Sequence, residues 1–426
     1  MPGTEGPVIQ QTRAAGVRGP GTRLTGAYRP RRAGNPGALR APRAIRPLRV
    51  LVDGRVMQDH YHGIGRYTYE LLSELSRRDV ELVVVHTPVP GRLPVDRLLR
   101  EPNVTAVASQ VPVVSLRSQW ALRAAMRAFR PDVAFIPYHL STPVLHGRVP
   151  VVSVMHDCIF ERYAALAGRS ARLLAYRAAS RVAVRSATPL VAPSQATRED
   201  IRRFYGLELP PRAVLPHGVA ERFFALGHRP RPALPDLPAR YILHVGAQRP
   251  HKNQRVLVEA LTRLRAGHPD LGLVLVGQPD PRFPDDTGQL IHALGLASRV
   301  CRYTQADDEM LLDLYANAAI FAYPSLVEGF GLPMLEAMAA GLPVVASDAE
   351  AVREIAGGGA LIVPAEASAQ WAQALDRVLT DPHLAQDLRH RARAAVSRHT
   401  WAESAERTLA ILAWAAGTGT RGPGRA

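Results

Sequence analysis

The 426-residue sequence is poor in cysteine, lysine and aromatic residues, and it contains no long apolar run. Its two cysteines, Cys158 and Cys301, lie far apart, so we expect buried thiols in different domains, no structural disulfide and a reducing compartment. No apolar run is long enough to cross a bilayer, and the Arg-rich N-terminus lacks the apolar segment of a secretory signal. These absences favour a cytoplasmic protein.

The net charge of +16 is carried mainly by arginines near the two ends of the chain. Residues 1–46 contain nine Arg against one acid, and Arg421 and Arg425 lie in the last residues. A Gly-, Pro- and Arg-rich segment with so little apolar pattern cannot bury enough surface to fold, so we predict a disordered basic leader over 1–46 and a tail over 418–426. A nucleic-acid-binding protein needs its positive charge on a folded face, so this distribution disfavours that class.

Lys252 is the only lysine, since every other Lys or Arg position is Arg. Under such a bias, a lysine is expected to persist where a planar guanidinium does not serve. Phosphate sites often need the compact charge of an ammonium group. Lys252 is therefore a candidate site residue.

Short apolar runs alternate with helical patterns in two parts of the chain, which predicts an α/β protein with a mostly parallel sheet in each part. We expect an N-terminal domain over residues 47–217 and a C-terminal domain over residues 241–400. Residues 218–240 are predicted to be a linker, because residues 229–240 hold four prolines and show no apolar periodicity. A last amphipathic helix is expected over residues 401–417.

A glycine-containing turn joins the apolar run at residues 318–322 to a helical pattern that begins near Leu332. Gly329 and Gly331 are expected to let the backbone approach a ligand closely, and Pro333 suits the first turn of a helix, where its missing amide costs nothing. The free amides of the helix start and the positive end of its dipole then form a position for phosphate. An ordinary helix start is the alternative interpretation.

Two acids flank this turn. Glu328 precedes it, and Glu336 lies on the first or second turn of the predicted helix, where its carboxylate can accept hydrogen bonds from ligand hydroxyls. An anion position with hydroxyl acceptors on both sides suits a nucleotide-sugar diphosphate.

Two further strand-to-helix connections carry candidate site residues. Arg249 and Lys252 follow the apolar run at residues 241–245, where paired positive charges could clamp a diphosphate. His156 and Asp157 follow the run at residues 151–155, and we expect Asp157 to orient His156 as a hydrogen-bond donor or acid/base group. A histidine that is merely hydrogen-bonded to a neighbouring loop is the alternative.

Gly63 and Gly65 are expected on a loop that approaches a ligand, although a lone Gly-x-Gly pattern also fits a tight turn. Elsewhere, Ser194 is predicted to cap the helix that follows it. The acidic group at residues 307–309 is predicted to be a helix N-cap with acids in the first turn, in preference to a metal site.

These residues together resemble the retaining glycosyltransferases of family four, which have the GT-B architecture. In that architecture, two Rossmann-like domains face each other across a cleft, and a C-terminal helix crosses back to the first domain. The most specific likeness is residues 328–331 with Glu336, which resemble the family's two glutamates separated by seven residues. Residues 246–253, residues 63–67 and the pair His156-Asp157 resemble further signatures. The likeness extends from Pro47 to about Gly417.

The resemblance implies roles for the residues on the donor side. Lys252 and Arg249 would neutralise the donor diphosphate, while Glu336 would bind the ribose hydroxyls. Glu328 would bind the donor sugar, and the backbone after Gly329, at Phe330 and Gly331, would hold phosphates or sugar. Many members of the family have Arg directly after the first glycine of the loop, where this chain has Ala247, so the role of Arg249 is less firmly implied than that of Lys252.

The resemblance also implies which residues act on the reacting sugar and on the acceptor. His156 would contact the donor sugar near its reacting carbon, so His156, Glu328 and Lys252 form the expected catalytic group. Gly63, Gly65 and Asp157 would lie on the acceptor side of the cleft. No covalent nucleophile stands out, and fixed cations with helix amides can stabilise the leaving diphosphate without a metal ion or other cofactor.

The implied activity is transfer of a hexose from a nucleotide sugar to a glycan or lipid-linked acceptor with retention of configuration. Mannose from GDP-mannose is the favoured donor. A UDP-sugar donor, a GT-B nucleotide-sugar epimerase and a basic nucleic-acid-binding protein are the alternatives, the last of them disfavoured. We expect the protein in the cytoplasm, and contact with the inner face of a membrane stays open.

Overall fold

The computed structural model describes residues 46–58, 62–89, 91–163, 171–227, 229–234 and 236–418. The predicted disordered leader, apart from Arg46, lies outside the described residues, as does the predicted tail from residue 419 onward.

The first domain is built on a parallel sheet in which each strand is flanked by helices. Its strands are β1 Leu48–Asp53, β2 Val80–His86, β3 Val104–Ala108, β4 Val133–Ile136, β5 Val151–Val154 and β6 Leu190–Val191. Their order across the sheet is β3-β2-β1-β4-β5-β6, and every pairing is parallel. The chain therefore reverses its direction of sheet growth next to β1, where ligands bind in folds of this kind.

The second domain repeats the same strand order. Its strands are β7 Arg240–Val245, β8 Leu271–Val276, β9 Val300–Tyr303, β10 Ile320–Tyr323, β11 Val344–Ser347 and β12 Leu361–Val363. They are arranged β12-β11-β10-β7-β8-β9, again with every pairing parallel. The prediction of two Rossmann-like parallel-sheet domains is confirmed.

Helices cover both sheets. Those of the first half are α1 His62–Leu75, α2 Val95–Leu99, α3 Leu116–Phe129, α4 Ile159–Arg162, α5 Ala171–Ser186, α6 Gln195–Tyr205 and α7 Glu221–Phe224. Those of the second half are α8 Gln254–Leu264, α9 Asp286–Ala293, α10 Asp308–Asn317, α11 Leu332–Ala339, α12 Glu350–Ala356, α13 Ser368–Thr380, α14 Pro382–Val396 and α15 Trp401–Thr418. Because each sheet is covered on both faces, its central strands are continuous apolar runs rather than alternating ones.

The last helix, α15, crosses back to the first domain as expected. Trp401, Ile411 and Leu412 of this helix are buried in the same apolar core as Leu71 of α1 and Val154 of β5. The amphipathic pattern of α15 thus has its partner face in the other half of the chain.

Residues at the start of the predicted linker pack into the second domain. Val219 and Phe223 are buried in its core, and Val219 forms a parallel bridge with Thr400. The two chain crossings between the domains therefore lie side by side. Gly218 fits there because a β-carbon at this position would lie 2.2 Å from the backbone nitrogen of Trp401.

Both predicted helix caps are present. The Ser194 side chain accepts from the Thr197 amide at the start of α6, and the Asp307 side chain accepts from the Met310 amide at the start of α10. Cys158 and Cys301 are free, buried thiols in different domains, as expected.

Candidate active site

The glycine-containing turn lies between β10 and α11, at the carboxyl end of a central strand of the second sheet. Gly331 is the N-cap of α11 and has φ +107°, a conformation that side chains other than glycine rarely adopt. Pro333 occupies the first turn of the helix. The amides at the start of α11 and its dipole therefore point into this turn, as the sequence predicted.

Lys252 and Glu328 form an ion pair at this turn. Nζ of Lys252 donates to Oε1 of Glu328 at 2.6 Å, and the two side chains are 15% and 8% exposed. Lys252 ends a short 3-10 turn, Pro250–Lys252, after β7, and its Nζ lies 5.6 Å from the centre of the Tyr323 ring. Two loops that are 76 residues apart in sequence therefore meet through these two side chains.

Glu328 is ionised despite its burial. Burial by itself would raise the pKa of this carboxyl, but Lys252, with smaller contributions from His251 and Ser325, holds it below the ordinary value. The ammonium group of Lys252 has three N–H donors and uses one in its hydrogen bond to Glu328, so it can still donate to phosphate oxygens.

Arg249 lies on the same loop as Lys252 but pairs with a different acid. Its Nε donates to Asp280 at 2.9 Å, and its side chain is 36% exposed. Asp280 also accepts from Arg282, and that hydrogen bond is the main reason why the pKa of Asp280 is lowered. Asp280 thus holds two guanidinium groups beside the Lys252 loop.

Glu336 lies on α11 with its side chain directed into the protein. Tyr315 donates to its Oε2 at 3.1 Å, and the residue is 7% exposed. Burial raises the pKa of Glu336, although the nearby guanidinium of Arg66 and the Tyr315 hydroxyl act in the opposite direction. Arg66 belongs to α1 of the first domain, so the environment of Glu336 is built from both domains.

His156 follows β5, as predicted, but Asp157 does not orient it. Nε2 of His156 donates to the backbone carbonyl of Pro137 at 2.7 Å, while Oδ1 of Asp157 accepts from the Ile159 amide at 3.1 Å. Neighbouring side chains leave an extended chain in opposite directions, so the partner of His156 comes from the end of the adjacent strand β4. The predicted His156–Asp157 pairing is wrong.

The environment of His156 keeps its ring neutral. Burial lowers its pKa to about 4, and the Pro137 carbonyl only partly offsets this effect. A carbonyl cannot donate, so the ring proton is on Nε2, and Nδ1 carries the free lone pair. His156 is therefore a hydrogen-bond acceptor at neutral pH.

Gly63 and Gly65 were expected on a loop, but they lie in the first turn of α1. A β-carbon on Gly65 would lie 2.8 Å from the backbone oxygen of Val56, whereas Gly63 has open space around it. Gly65 thus allows α1 to pack closely against the short turn that follows β1. This packing explains the glycine without a ligand.

Gly329 is also positioned differently from the expectation. A β-carbon on Gly329 would lie 1.8 Å from the His156 carbonyl oxygen, so the close approach is to the first domain and not to an open cleft. The Phe330 side chain is 4% exposed and packs against the His217 ring at 4.5 Å. The expected role of Phe330, which concerns its backbone, stays a prediction.

Arg66 is a further candidate site residue, for which no role was predicted. Its guanidinium pairs with Asp308 at the start of α10, across the boundary between the domains, and it faces Glu336. The signal available in sequence was its place directly after Gly65, on the first turns of a helix that starts at the carboxyl end of β1.

A separate cavity of about 620 Å³ lies behind the domain junction, between the α12 end and the start of α15. Among the described residues that line it are Pro216, Glu354, His399 and Arg407, and none of the predicted site residues is among them.

Two domains of Rossmann topology, joined by adjacent crossings and a returning C-terminal helix, define the GT-B class of glycosyltransferase folds. The solved structure of sucrose-phosphate synthase from Thermosynechococcus elongatus has the same fold, with a TM-score of 0.71 and 20% identity over 88% of this chain and 100% of that one.

Two family models match the two halves of the chain. Residues 61–223 match the Glycosyltransferase Family 4 model, and residues 230–395 match the model of glycosyl transferases group 1. The chain belongs to this family of group 1, family 4 glycosyltransferases.

The chain also aligns with curated relatives over part of their length. An MMP alpha-(1->4)-mannosyltransferase of Mycolicibacterium hassiacum is 34% identical over 227 residues, covering 52% of this chain and 53% of that protein. A D-inositol 3-phosphate glycosyltransferase of Xylanimonas cellulosilytica is 31% identical over 282 residues, covering 63% of this chain and 67% of that protein. The chain thus spans about half to two thirds of these relatives.

Within the described residues, no helix combines the length and the apolar character that a bilayer crossing requires.

Proposed function

We propose that the protein is a hexosyltransferase that uses a nucleoside-diphosphate hexose as donor and retains the anomeric configuration. The observation that supports this most strongly is the Lys252–Glu328 pair beside the start of α11. An ammonium group, the start of a helix with its positive dipole end, and an ionised carboxylate meet at one strand end. This combination suits a diphosphate that carries a hydroxylated sugar.

In the proposed donor complex, Lys252 and Arg249 neutralise the diphosphate, and the amides from Phe330 onward hold its oxygens. Glu336 accepts the ribose hydroxyls and Glu328 the hydroxyls of the donor sugar. Arg66 of the first domain closes the site near Glu336. The charged side chains among these groups are each already bonded to another side chain. Little reorganisation is therefore needed when the charge on the leaving diphosphate grows.

The reaction breaks the bond between the anomeric carbon and the phosphate oxygen. The electron pair of that bond goes to the diphosphate, where Lys252 and the α11 amides stabilise it. Positive charge develops on the sugar, and the neutral Nδ1 of His156 accepts a hydrogen bond from a sugar hydroxyl near the reacting carbon. The acceptor hydroxyl then attacks from the side of the leaving group, and its proton passes to the diphosphate.

We further propose GDP-mannose as the donor and a glycan or lipid-linked molecule as the acceptor. The name of the Mycolicibacterium relative, a mannosyltransferase, supports mannose. The expected setting is the cytoplasm, consistent with two buried free thiols, and a lipid-linked acceptor would bring the enzyme to the inner face of the membrane. We also propose that Gly63, Gly65 and Asp157 lie on the acceptor side of the cleft. Gly65 would act there through the packing of α1.

The test is a panel of nucleotide sugars incubated with the purified full chain, with release of nucleoside diphosphate as readout. We expect GDP-mannose to be turned over fastest and the rate to be unchanged by a metal chelator. A preference for a UDP-sugar would overturn the assignment of GDP-mannose as donor. Formation of an epimerised nucleotide sugar without release of nucleoside diphosphate would overturn the proposed transferase activity.

A further inference from the structure

The start of α6 belongs to the first domain but contacts the glycine-containing turn of the second. Oγ of Ser194 donates to the Gly329 carbonyl oxygen at 2.7 Å, and Oγ1 of Thr197 donates to the same oxygen at 3.1 Å. Ser194 is 0% and Thr197 1% exposed. One carbonyl of the turn therefore receives two buried hydrogen bonds across the domain boundary.

The Gly329 peptide is also enclosed by the end of β5, on the side opposite α6. A β-carbon on Gly329 would lie 1.8 Å from the His156 carbonyl oxygen and 2.9 Å from Cβ of Asp157. The Gly329 peptide is thus enclosed between the end of β5 and the start of α6. It cannot rotate without breaking contacts to the first domain.

The second domain in turn completes the start of α6. The carboxylate of Glu354, on α12, accepts from the Gln195 and Ala196 amides, each at 2.8 Å. The next amide, that of Thr197, is bound by Ser194 at 3.0 Å. A helix start leaves its first amides without partners inside the helix, and a carboxylate there is favoured by the dipole. Both domains are therefore needed to satisfy these groups.

Arg162 adds a second link beside this one. It is bonded to Asp200 on α6 and to Glu350 on α12, so the same two helices are joined by an ion-pair bridge. Glu350 and Glu354 are exposed, and exposed pairs contribute little free energy. The buried hydroxyls of Ser194 and Thr197 are the stronger part of the contact.

We propose that Ser194 and Thr197 are positioning residues for the donor-binding turn. They fix the Gly329 peptide, and with it Glu328 on one side and the α11 amides on the other, only when the two domains are together. The expected effect of these residues on donor turnover rests on the proposed function, whereas their expected effect on the rigidity of the turn does not. Neither hydroxyl needs to touch the donor.

The test uses paired variants of the full chain. Thr197→Val keeps the shape of the side chain and removes the hydroxyl, and Thr197→Ser keeps the hydroxyl. Ser194→Ala removes both a helix cap and the bond to Gly329. Its control is Ser115→Ala, because Ser115 caps α3 through the Ser118 amide at 3.1 Å within the first domain.

Hydrogen–deuterium exchange without ligand gives the first readout. We expect faster exchange over residues 328–336 in Thr197→Val and Ser194→Ala, and wild-type exchange there in Thr197→Ser and Ser115→Ala. Unchanged exchange over residues 328–336 in both Thr197→Val and Ser194→Ala overturns the proposal. This result is independent of any nucleotide sugar, so it is distinct from a failure of the donor panel.

Donor kinetics give the second readout. We expect kcat/KM for the donor to fall about fivefold in Thr197→Val and about tenfold in Ser194→Ala, as for loss of one or two buried hydrogen bonds. Thr197→Ser and Ser115→Ala should stay within about twofold of wild type. Equal losses in Ser194→Ala and Ser115→Ala would reduce the role of Ser194 to helix capping and overturn the proposal for that residue.

Discussion

The first strand-to-helix connections of the two domains have the same topology and different chemistry. In the first domain, Arg55 pairs with Asp53 at 2.7 Å, and both side chains are 0% exposed. In the second domain, Lys252 pairs with Glu328 at 2.6 Å, and the side chains are 15% and 8% exposed. An ion pair therefore lies near the carboxyl end of each domain's first strand.

The difference lies in what the cation does with its remaining protons. Arg55 also donates to the Val111 carbonyl at 3.1 Å and to Ser118 at 2.7 Å, so it fastens the start of α3 to β1. Lys252 lies beside the turn that leads into α11, and its remaining protons suit phosphate. A charge at a strand end is thus evidence of function only when its hydrogen-bonding capacity is left open.

The largest expected effect is on stability, from Arg55→Met. It leaves the Asp53 carboxylate buried without its partner, so we expect the free energy of unfolding to fall by about 3–5 kcal/mol. Urea denaturation measures this. Arg46→Met is the control, since Arg46 and Asp132 form an exposed pair whose loss should change little. Equal small effects of both variants would contradict a structural role for Arg55.

The next effect is on catalysis, from Lys252→Ala. Loss of the charge that stabilises the leaving diphosphate should lower donor kcat/KM by about 100-fold or more. Lys252→Arg keeps the charge but replaces a compact ammonium group with a planar fork, and we expect about tenfold loss. Wild-type kinetics in Lys252→Ala would remove Lys252 from the donor site. Lys252→Met, Glu328→Gln and the double variant together form a double-mutant cycle that measures the coupling between the two residues.

A smaller effect is expected from Arg249→Ala. Arg249 and Arg282 both bind Asp280, which makes Arg282→Ala a matched control. If Arg249 contacts the diphosphate, its loss should lower donor kcat/KM about tenfold, as for one charge-assisted hydrogen bond, and Arg282→Ala should have little effect. The same steady-state assay decides this. Equal losses in the two variants would assign both residues to support of Asp280.

The smallest effect near neutral pH concerns His156. Its pKa of about 4 keeps the ring neutral above that pH, so donor kcat/KM should show no inflection from His156 between about pH 5.5 and 7.5. As the pH falls toward the pKa, Nδ1 gains a proton, can no longer accept, and activity should decline. An inflection near pH 6.5 that disappears in His156→Gln would contradict the neutral acceptor.

Regular structure was predictable where the strands are buried on both faces. The apolar runs at residues 151–155, 241–245 and 318–322 lie on β5, β7 and β10, which are interior strands of their sheets. No strand was predicted at Val104–Ala108, because this edge strand is largely exposed or half-buried and has no strong apolar run. The short helix Glu350–Ala356 was missed as well, although it carries the Glu354 contact.

The residues of the candidate site were named from the sequence, but their contacts with one another were not. The sequence predicted Lys252 and Glu328 as donor-site residues, but nothing local showed that they pair with each other. The partner of His156 and the neighbours of Gly329 also come from distant strands and from the other domain. A glycine can be required for several different structural reasons. Sequence alone could not distinguish a glycine needed for helix packing, as at Gly65, from one that lets the backbone approach a ligand.

The most direct test is a co-crystal structure with the nucleoside diphosphate that the donor panel releases. We expect phosphate oxygens within hydrogen-bond distance of Lys252 Nζ and of the backbone amides at the start of α11, with the ribose hydroxyls at Glu336. A nucleotide bound at the Asp53–Arg55 end of the first domain, or in the cavity behind the domain junction, with the Lys252–Glu328 pair untouched, would contradict the account.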